Sequence, residues 1–254
     1  MAEVPVLASA DPIRRVWDRF ADVPMETLTK AWLVRQPGGA GQRSVETIVA
    51  HRRLHGTSGN CFDLAIWLLH ELRAAGVRAH AVGRDFFTPR AHVAVVAYDG
   101  RGRRWLCDLG DQWILPFPLD ATAGAREPLA GFFPGARVRV EVSRSECQVA
   151  YHRPSGRVSR QSYRLDEVAD ERLLAAADHS QRLLRKPACE VRVRLGSSIA
   201  HWEFSHGASF LSTDHGLVEE PAAASPAQWC ARIHRRTGIA VAVVSAALEV
   251  YAGV

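Results

Sequence analysis

The feature that most constrains the fold is a change in the spacing of apolar residues near Gly76. Before Gly76, apolar residues recur every three or four positions, as they do from Ile13 to Phe20, and this spacing is typical of amphipathic helices. From Val77 onward, short runs rich in valine, alanine and aromatic residues alternate with turn residues, which indicates strands. Helices, then antiparallel strands, then a smaller mixed unit predict an α+β protein.

Boundary residues set the expected limits of the elements. Asp11 and Pro12 predict the start of a first helix, Ser44 and Gly56 bracket a second, and a third runs from about residue 62 to Gly76. Further along, we expect turns at residues 154–156 and 196–198, and a final helix that begins after Ser225.

Composition narrows the possible partners. The chain has 254 residues, of which 47% are hydrophobic and 23% charged, as in soluble folded proteins. No apolar run approaches the roughly 18 residues that a membrane span needs, and the first residues do not resemble a secretory signal, so we expect a cytoplasmic protein without a membrane partner. The net charge is +5, but basic residues are scattered among 27 acidic ones, so we expect no nucleic-acid partner.

The cysteines and histidines do not predict a metal site. The five cysteines are widely spread with no C-x-x-C pair, and their odd number leaves at least one thiol unpaired. Three histidines lie near one another in the sequence, but no carboxylate or cysteine stands in a spacing typical of metal ligands: His201, His206 and His215.

Cys61 is the candidate nucleophile. It stands between a small polar loop and an apolar helix in "HGTSGNCFDLAIWLLHELRAAG". Free amides and the dipole at a helix N-terminus stabilise a thiolate, and the small loop residues 56–60 would admit a substrate and offer backbone N–H groups to an oxyanion. The alternative is a buried structural cysteine, which is common for free thiols.

His92 and Asp108 flank the predicted hairpin that follows. An odd loop centred near Gly100 places His92 directly opposite Asp108, so that both side chains share one face of the sheet. A register that differs by one residue would put them on opposite faces. Either residue alone has a structural explanation, as a polar strand end or a turn residue. Together with Cys61 they match a catalytic triad, in which the histidine accepts the thiol proton and the aspartate orients the histidine.

Aromatic residues flank this predicted site. We expect them to bind the substrate, although core packing is the alternative for each: Phe62, Phe86, Phe87, Trp113 and Phe117.

The motifs around these residues resemble those of the arylamine N-acetyltransferases. The likeness is clearest over residues 12–120 and rests on "RFADVPMETL", "GNCFDLAIWLL" and "AHVAVVAYDGRGRRWLCDLGDQWILPFPLD". It implies a helical domain at 1–83 that carries the nucleophile, a β-barrel domain at 84–186 and an α/β lid domain at 187–254.

The resemblance also implies a reaction. Cys61 would take an acyl group from acyl-coenzyme A, the co-substrate, with His92 as base and Asp108 as the orienting acid. The acyl-cysteine would then pass the group to a small-molecule amine acceptor in a ping-pong reaction without a metal.

Two departures from the family pattern leave alternatives open. The usual Arg-Gly-Gly before the cysteine is replaced by residues 57–60, and Asp108 is followed by Leu109, Gly110 and Asp111 instead of Val-Gly-Phe-Gly. The alternatives are an amide synthase that takes acyl chains from an acyl carrier protein, a transglutaminase-like amidase, and a non-catalytic binding relative.

Overall fold

The computed structural model of the chain describes residues 12–120 and 127–253, and it confirms the α+β class. The described part begins with helices, as predicted from the apolar spacing. Their bounds are α1 (Pro12–Asp18), α2 (Leu28–Val34), α3 (Val45–His55) and α4 (Cys61–Ala74), with the two-residue strand β1 (Met25–Glu26) between α1 and α2.

Eight antiparallel strands form a near-closed barrel in the order β5-β4-β3-β2-β9-β8-β7-β6. The Ile114 N–H, near one edge of this sheet, donates to the Phe132 carbonyl at the other edge over 2.8 Å. The strands are β2 (Ala79–Arg84), β3 (His92–Tyr98), β4 (Arg104–Cys107), β5 (Phe117–Pro118), β6 (Leu129–Phe133), β7 (Ala136–Val142), β8 (Glu146–His152) and β9 (Val158–Val168).

A second antiparallel sheet has the order β1-β10-β11-β12-β13. Its later strands and the remaining helices are α5 (Asp170–Arg182), β10 (Ala188–Leu195), β11 (Ser198–Ser205), β12 (Ala208–Thr213), β13 (Gly216–Glu219), α6 (Pro226–Thr237) and α7 (Val241–Ala252). Within the described ranges, no helix combines the length and apolar character needed to cross a membrane.

Two hydrophobic cores hold these layers together. In the larger core, α1 and α4 pack against the barrel through residues such as Trp17, Phe62 and Leu68. In the smaller core, α2, α6 and α7 pack against the second sheet around Trp202 and Ile233. Because α4 is buried against strands β2 and β3 and other helices, its first residue, Cys61, is held in place by the larger core.

Several predicted boundaries are confirmed. Ser44 caps α3 by accepting from the Thr47 N–H at 3.3 Å, and Gly56 ends that helix with a φ of 71°. Ser225 caps α6 with Pro226 in its first turn. Asp11, predicted to cap α1, lies outside the described residues.

The sequence prediction missed helix α7 at the end of the chain. It consists largely of valine and alanine, and a run of β-branched residues has no helical period that marks it as a helix. Burial of Val243, Val244 and Ala247 in the smaller core stabilises the helix despite this composition.

One strand crosses a predicted domain limit, and one strand pairing joins two of the predicted domains. The boundary between residues 83 and 84 falls inside β2, and β1 in the N-terminal range pairs with β10 through Met25–Glu190 and Glu26–Cys189. The division into residues 1–83, 84–186 and 187–254 therefore stays a prediction, and these strands join the ranges across it.

We expect Gly56→Ala to destabilise the protein more than Gly76→Ala. Both glycines follow helices with φ near 70° (71° and 75°), but a Cβ on Gly56 would lie 2.1 Å from the Gly238 carbonyl oxygen, whereas one on Gly76 meets nothing within 4 Å. Gly76→Ala should cost about 1–2 kcal/mol for the left-handed conformation. Gly56→Ala should cost roughly 1–3 kcal/mol more for the backbone clash. Urea unfolding of both variants measures the difference, and equal losses would contradict the close approach.

Candidate active site

Cys61 is the first residue of α4, and the side chain before it fixes that helix start. Asn60 accepts hydrogen bonds from the Phe62 N–H at 2.9 Å and the Asp63 N–H at 3.4 Å. In return, Asp63 accepts from the Asn60 N–H at 3.1 Å. This reciprocal capping box satisfies amides that the helix cannot use itself. Cys61 therefore sits, half-buried, at the positive end of the helix dipole.

A buried carboxylate anchors the loop before Cys61. Glu26, in β1, has no exposed surface and accepts from the Ser58 N–H at 3.1 Å and the Gly59 N–H at 2.6 Å. The Ser58 hydroxyl donates to the Pro24 carbonyl at 2.6 Å. The loop is therefore fixed through both its backbone and its side chains.

An ion pair closes the other side of this loop. Arg43 and Asp63 are 3.2 Å apart, with side chains only 5% and 1% exposed, and Arg43 also donates to the Ser58 carbonyl at 2.9 Å. Gly59 has a φ of 101°, and a Cβ there would lie 2.1 Å from an Asp63 oxygen. The loop itself contains no arginine, so Arg43 supplies this contact from outside it.

These hydrogen bonds leave fewer backbone N–H groups free to donate to an oxyanion than the sequence predicts. The sequence predicts free backbone N–H groups in the loop, but the amides from Ser58 to Asn60, and those of Phe62 and Asp63, donate to side chains. Among the described residues of the loop and the first turn of α4, the Thr57 and Cys61 N–H groups have no acceptor, and the Cys61 N–H belongs to the candidate nucleophile itself.

His92 and Asp108 lie together on one face of the barrel sheet. The His92 Nε2 and Asp108 Oδ2 atoms are 2.7 Å apart, and the two side chains are 14% and 0% exposed. Because Nε2 faces the aspartate, Nδ1 is the nitrogen left for Cys61, with which the imidazole also interacts. The structure therefore brings all three predicted triad residues together.

The predicted hairpin register is wrong by two residues. Val95 pairs with Cys107 and Tyr98 with Arg104, so Asp108 continues opposite Ala94, and the turn is centred on Arg101 instead of Gly100. A two-residue shift preserves the face, and diagonal neighbours remain within reach of long side chains. His92 and Asp108 therefore meet diagonally instead of directly across the ladder.

Two further groups fix the Asp108 carboxylate. The Tyr163 hydroxyl donates to Oδ2 at 2.7 Å, and the Asp111 N–H donates to Oδ1 at 2.9 Å. Burial, together with the Asp108 charge, raises the pKa of Tyr163 well above its usual value, so the phenol keeps its proton and remains a donor. The sequence prediction missed Tyr163, because only the pairing of β9 with β2 brings it near β3.

Asp111 is a second carboxyl group at the site, and it is half-buried. Burial and the neighbouring Asp108 charge raise its pKa, whereas the charge on His92 lowers it. The Tyr151 hydroxyl donates to Asp111, and the Trp113 ring N–H lies 3.4 Å from the same oxygen. These donors connect the triad to the wall of the barrel.

Gly110 lets the segment after β4 approach the nucleophile. A Cβ on Gly110 would lie 2.5 Å from the Cβ of Cys61 and 3.2 Å from an Asp108 oxygen. Backbone approach this close requires glycine, and it places Gly110 against both Cys61 and Asp108.

The aromatic candidates occupy different environments. Phe62 is buried and its ring centroid is 5.6 Å from that of Phe86. Trp113 and Phe117 are fully buried and packed on each other at 5.7 Å, whereas Phe87 is 45% exposed. Phe62, Trp113 and Phe117 therefore contribute to the core, and substrate binding by all five residues stays a prediction.

The three C-terminal histidines do not gather into one cluster. His201 is 3.1 Å from Glu190, His206 contacts Lys186, and the His215 amide donates to Thr213. Over residues 12–120 and 127–253, no group of three or more histidine, cysteine, aspartate or glutamate side chains is arranged to hold a metal ion.

We expect His92 to titrate above the ordinary histidine value of 6.5. Burial opposes its charged form, but the charge and hydrogen bond of Asp108, with a smaller contribution from Cys61, raise the pKa of His92 well above that value. Because the folded protein binds this proton more tightly, the resulting stability is complete below about pH 6.5 and is lost as pH rises through the folded pKa.

Histidine NMR titration of the wild type and Asp108→Asn tests this expectation. The resonance absent from His92→Gln identifies the residue, and Asp108→Asn should move its titration to lower pH because the carboxylate is removed. An unchanged His92 titration in Asp108→Asn would contradict the ion pair.

Among the comparisons with known proteins, only the comparison with solved structures finds matches. No family model matches the sequence, and no curated protein matches it either. The structure of an arylamine N-acetyltransferase from M. smegmatis is 16% identical, with 94% of this chain and 90% of that chain covered and a TM-score of 0.72. That of the Mycobacterium marinum enzyme in complex with CoA is 13% identical, with 97% and 94% covered and a TM-score of 0.74.

A structure from Bacillus cereus extends the likeness. This arylamine N-acetyltransferase, which has a Cys-His-Glu catalytic triad, is 15% identical, with 94% of each chain covered and a TM-score of 0.63. Identities this low carry information about the fold alone, but the likeness extends over nearly the whole chain. The resemblance seen in the motifs is therefore confirmed at the level of structure: the chain has the arylamine N-acetyltransferase fold.

Proposed function

We propose that the protein is an acyltransferase that moves an acyl group from a coenzyme A thioester to an amine through an acyl-Cys61 intermediate. The observation that carries this proposal is the 2.7 Å contact between His92 and Asp108, with Cys61 at the other side of the imidazole. The fold supports the thioester donor, because one structure with this fold contains CoA.

In the first half-reaction, Cys61 attacks the thioester carbonyl carbon. His92 holds the thiol proton as an imidazolium that Asp108 stabilises. The Cys61 N–H is directed at the oxyanion of the tetrahedral intermediate. Collapse of that intermediate breaks the bond to the coenzyme A sulfur, which takes the proton from His92.

In the second half-reaction, the acceptor amine attacks the acyl-cysteine carbonyl. The amine nitrogen loses its proton to His92, and the Cys61 sulfur leaves as a thiolate, which restores the starting state. Thioester chemistry suits this arrangement, because a thiolate is a good leaving group in both halves.

The direct test is acylation of the wild type and Cys61→Ser, measured by intact mass after mixing with several acyl-coenzyme A donors. The wild type should gain one acyl group, and peptide mapping should place it on Cys61 and on none of the other four cysteines. Cys61→Ser should gain no thioester. No adduct from any donor would overturn the proposal, and an adduct obtained only from glutamine peptides would favour an amidase.

A second prediction concerns the approach of Gly110 to the nucleophile. Gly110→Ala adds a Cβ that would lie 2.5 Å from that of Cys61, so the sulfur or the loop must move. A displacement of about 1 Å at reacting atoms can cost on the order of 100-fold, so we expect acylation to slow by roughly that factor.

Gly100→Ala is the matched control for Gly110→Ala. It lies in the β3–β4 turn, where an added Cβ meets nothing within 4 Å, and its acylation rate should equal that of the wild type. Equal rates in Gly110→Ala and the wild type, measured by single-turnover release of coenzyme A, would contradict the geometry.

A further inference from the structure

Lys30 is a buried lysine in the helical part of the chain. It is one of only two lysines in the chain, lies in α2 and is 8% exposed. Its ammonium donates to the Ser180 carbonyl at 3.2 Å, and within the described ranges it forms no salt bridge. A buried charge with one hydrogen bond is costly, so its position favours an anion nearby.

Ser180 connects Lys30 to the start of the nucleophile helix. Its hydroxyl oxygen accepts from the Asn60 side-chain amide at 3.2 Å, and Asn60 directly precedes Cys61. Lys30 is also within electrostatic range of Cys61 itself. The Lys30 side chain of α2 and the Asn60 side chain that caps α4 therefore meet at one residue of α5.

The other acidic groups near Lys30 already have donors of their own. Glu26 accepts from the Ser58 and Gly59 amides, and Asp63 is paired with Arg43. Among the described residues, the Cys61 sulfur is a further group near Lys30 that can carry a negative charge.

We propose that the Lys30 ammonium stabilises the Cys61 thiolate, as a second cation beside His92. The inference rests on the proposed function only in taking Cys61 as the reacting thiol. Thiolate formation needs no acyl donor, so it can be tested separately from acyl transfer.

The charged groups around Lys30 and Cys61 determine whether the ammonium and the thiolate are favoured. The charged groups near Cys61 are His92 on β3, Asp108 after β4, Lys30 on α2 and Asp63 on α4 itself. Burial lowers the pKa of Lys30, as does the charge of Arg185, while Cys61, Asp63 and Glu26 oppose this. The interaction is reciprocal: a thiolate favours the ammonium as much as the ammonium favours the thiolate.

The first test is the pH dependence of Cys61 alkylation by iodoacetamide, located by peptide mapping. We expect Lys30→Met to move the profile to higher pH and to slow alkylation at neutral pH by about tenfold, which corresponds to roughly one pH unit. Lys30→Arg should restore most of the rate because it restores the charge. Lys186→Met, which removes the exposed lysine, should behave as the wild type.

The second test uses the unmutated chain, so it remains decisive if Lys30→Met does not fold. With two lysines, the side-chain NMR signals are few, and Lys186 is an internal reference. Alkylation of Cys61 to a neutral thioether should move the Lys30 titration to lower pH and leave Lys186 unchanged. An unchanged Lys30 titration, or a folded Lys30→Met variant with the wild-type alkylation profile, would overturn the proposal even if acyl transfer occurs.

Discussion

The buried carboxylate of Asp108 is the interaction on which the site depends. It accepts from His92 on β3, from Tyr163 on β9 and from the backbone after β4, so three parts of the barrel converge on two oxygen atoms. A buried carboxylate is stable only with such partners. The same contacts that make Asp108 tolerable therefore orient the imidazole toward Cys61.

The position of Cys61, the candidate nucleophile, depends on a separate set of buried charged residues. Glu26 fixes the loop before α4 by its backbone amides, and the Arg43–Asp63 pair closes the loop from the other side. Because these residues come from β1, the α2–α3 connection and α4, the position of Cys61 requires the helical part of the chain to fold around the loop. Gly110 then brings the Asp108 segment against Cys61.

The sequence predicted the parts of this site that depend on local signals. The helix start near Cys61 and the end of α3 at Gly56 were predicted from nearby residue types. His92 and Asp108 share a face under both the predicted register and the observed one, which differ by two residues. Tyr163 and the Glu26 anchor were missed, because contacts made over 55 and 33 residues leave no local pattern. Helix α7 was missed because its burial, and not its propensity, determines its structure.

In the proposed site, the Cys61 thiolate would lie between two cations, Lys30 from α2 and His92 from β3. Such an arrangement favours a nucleophile that is charged before substrate arrives, which suits thioester exchange. Asp111 adds a half-buried carboxyl group beside Asp108. Its contacts with Tyr151 and Trp113 extend the polar network into the barrel wall.

The proposed reaction requires a covalent acyl-enzyme, which forms after the donor has reacted and before the acceptor does. Rapid mixing of the enzyme with acyl-coenzyme A in the absence of any amine tests it most directly, by the amount of free coenzyme A released. We predict a rapid burst of free coenzyme A that equals one molecule per protein chain. Release that begins only when an amine is added would contradict it, because donor and acceptor would then react directly with each other.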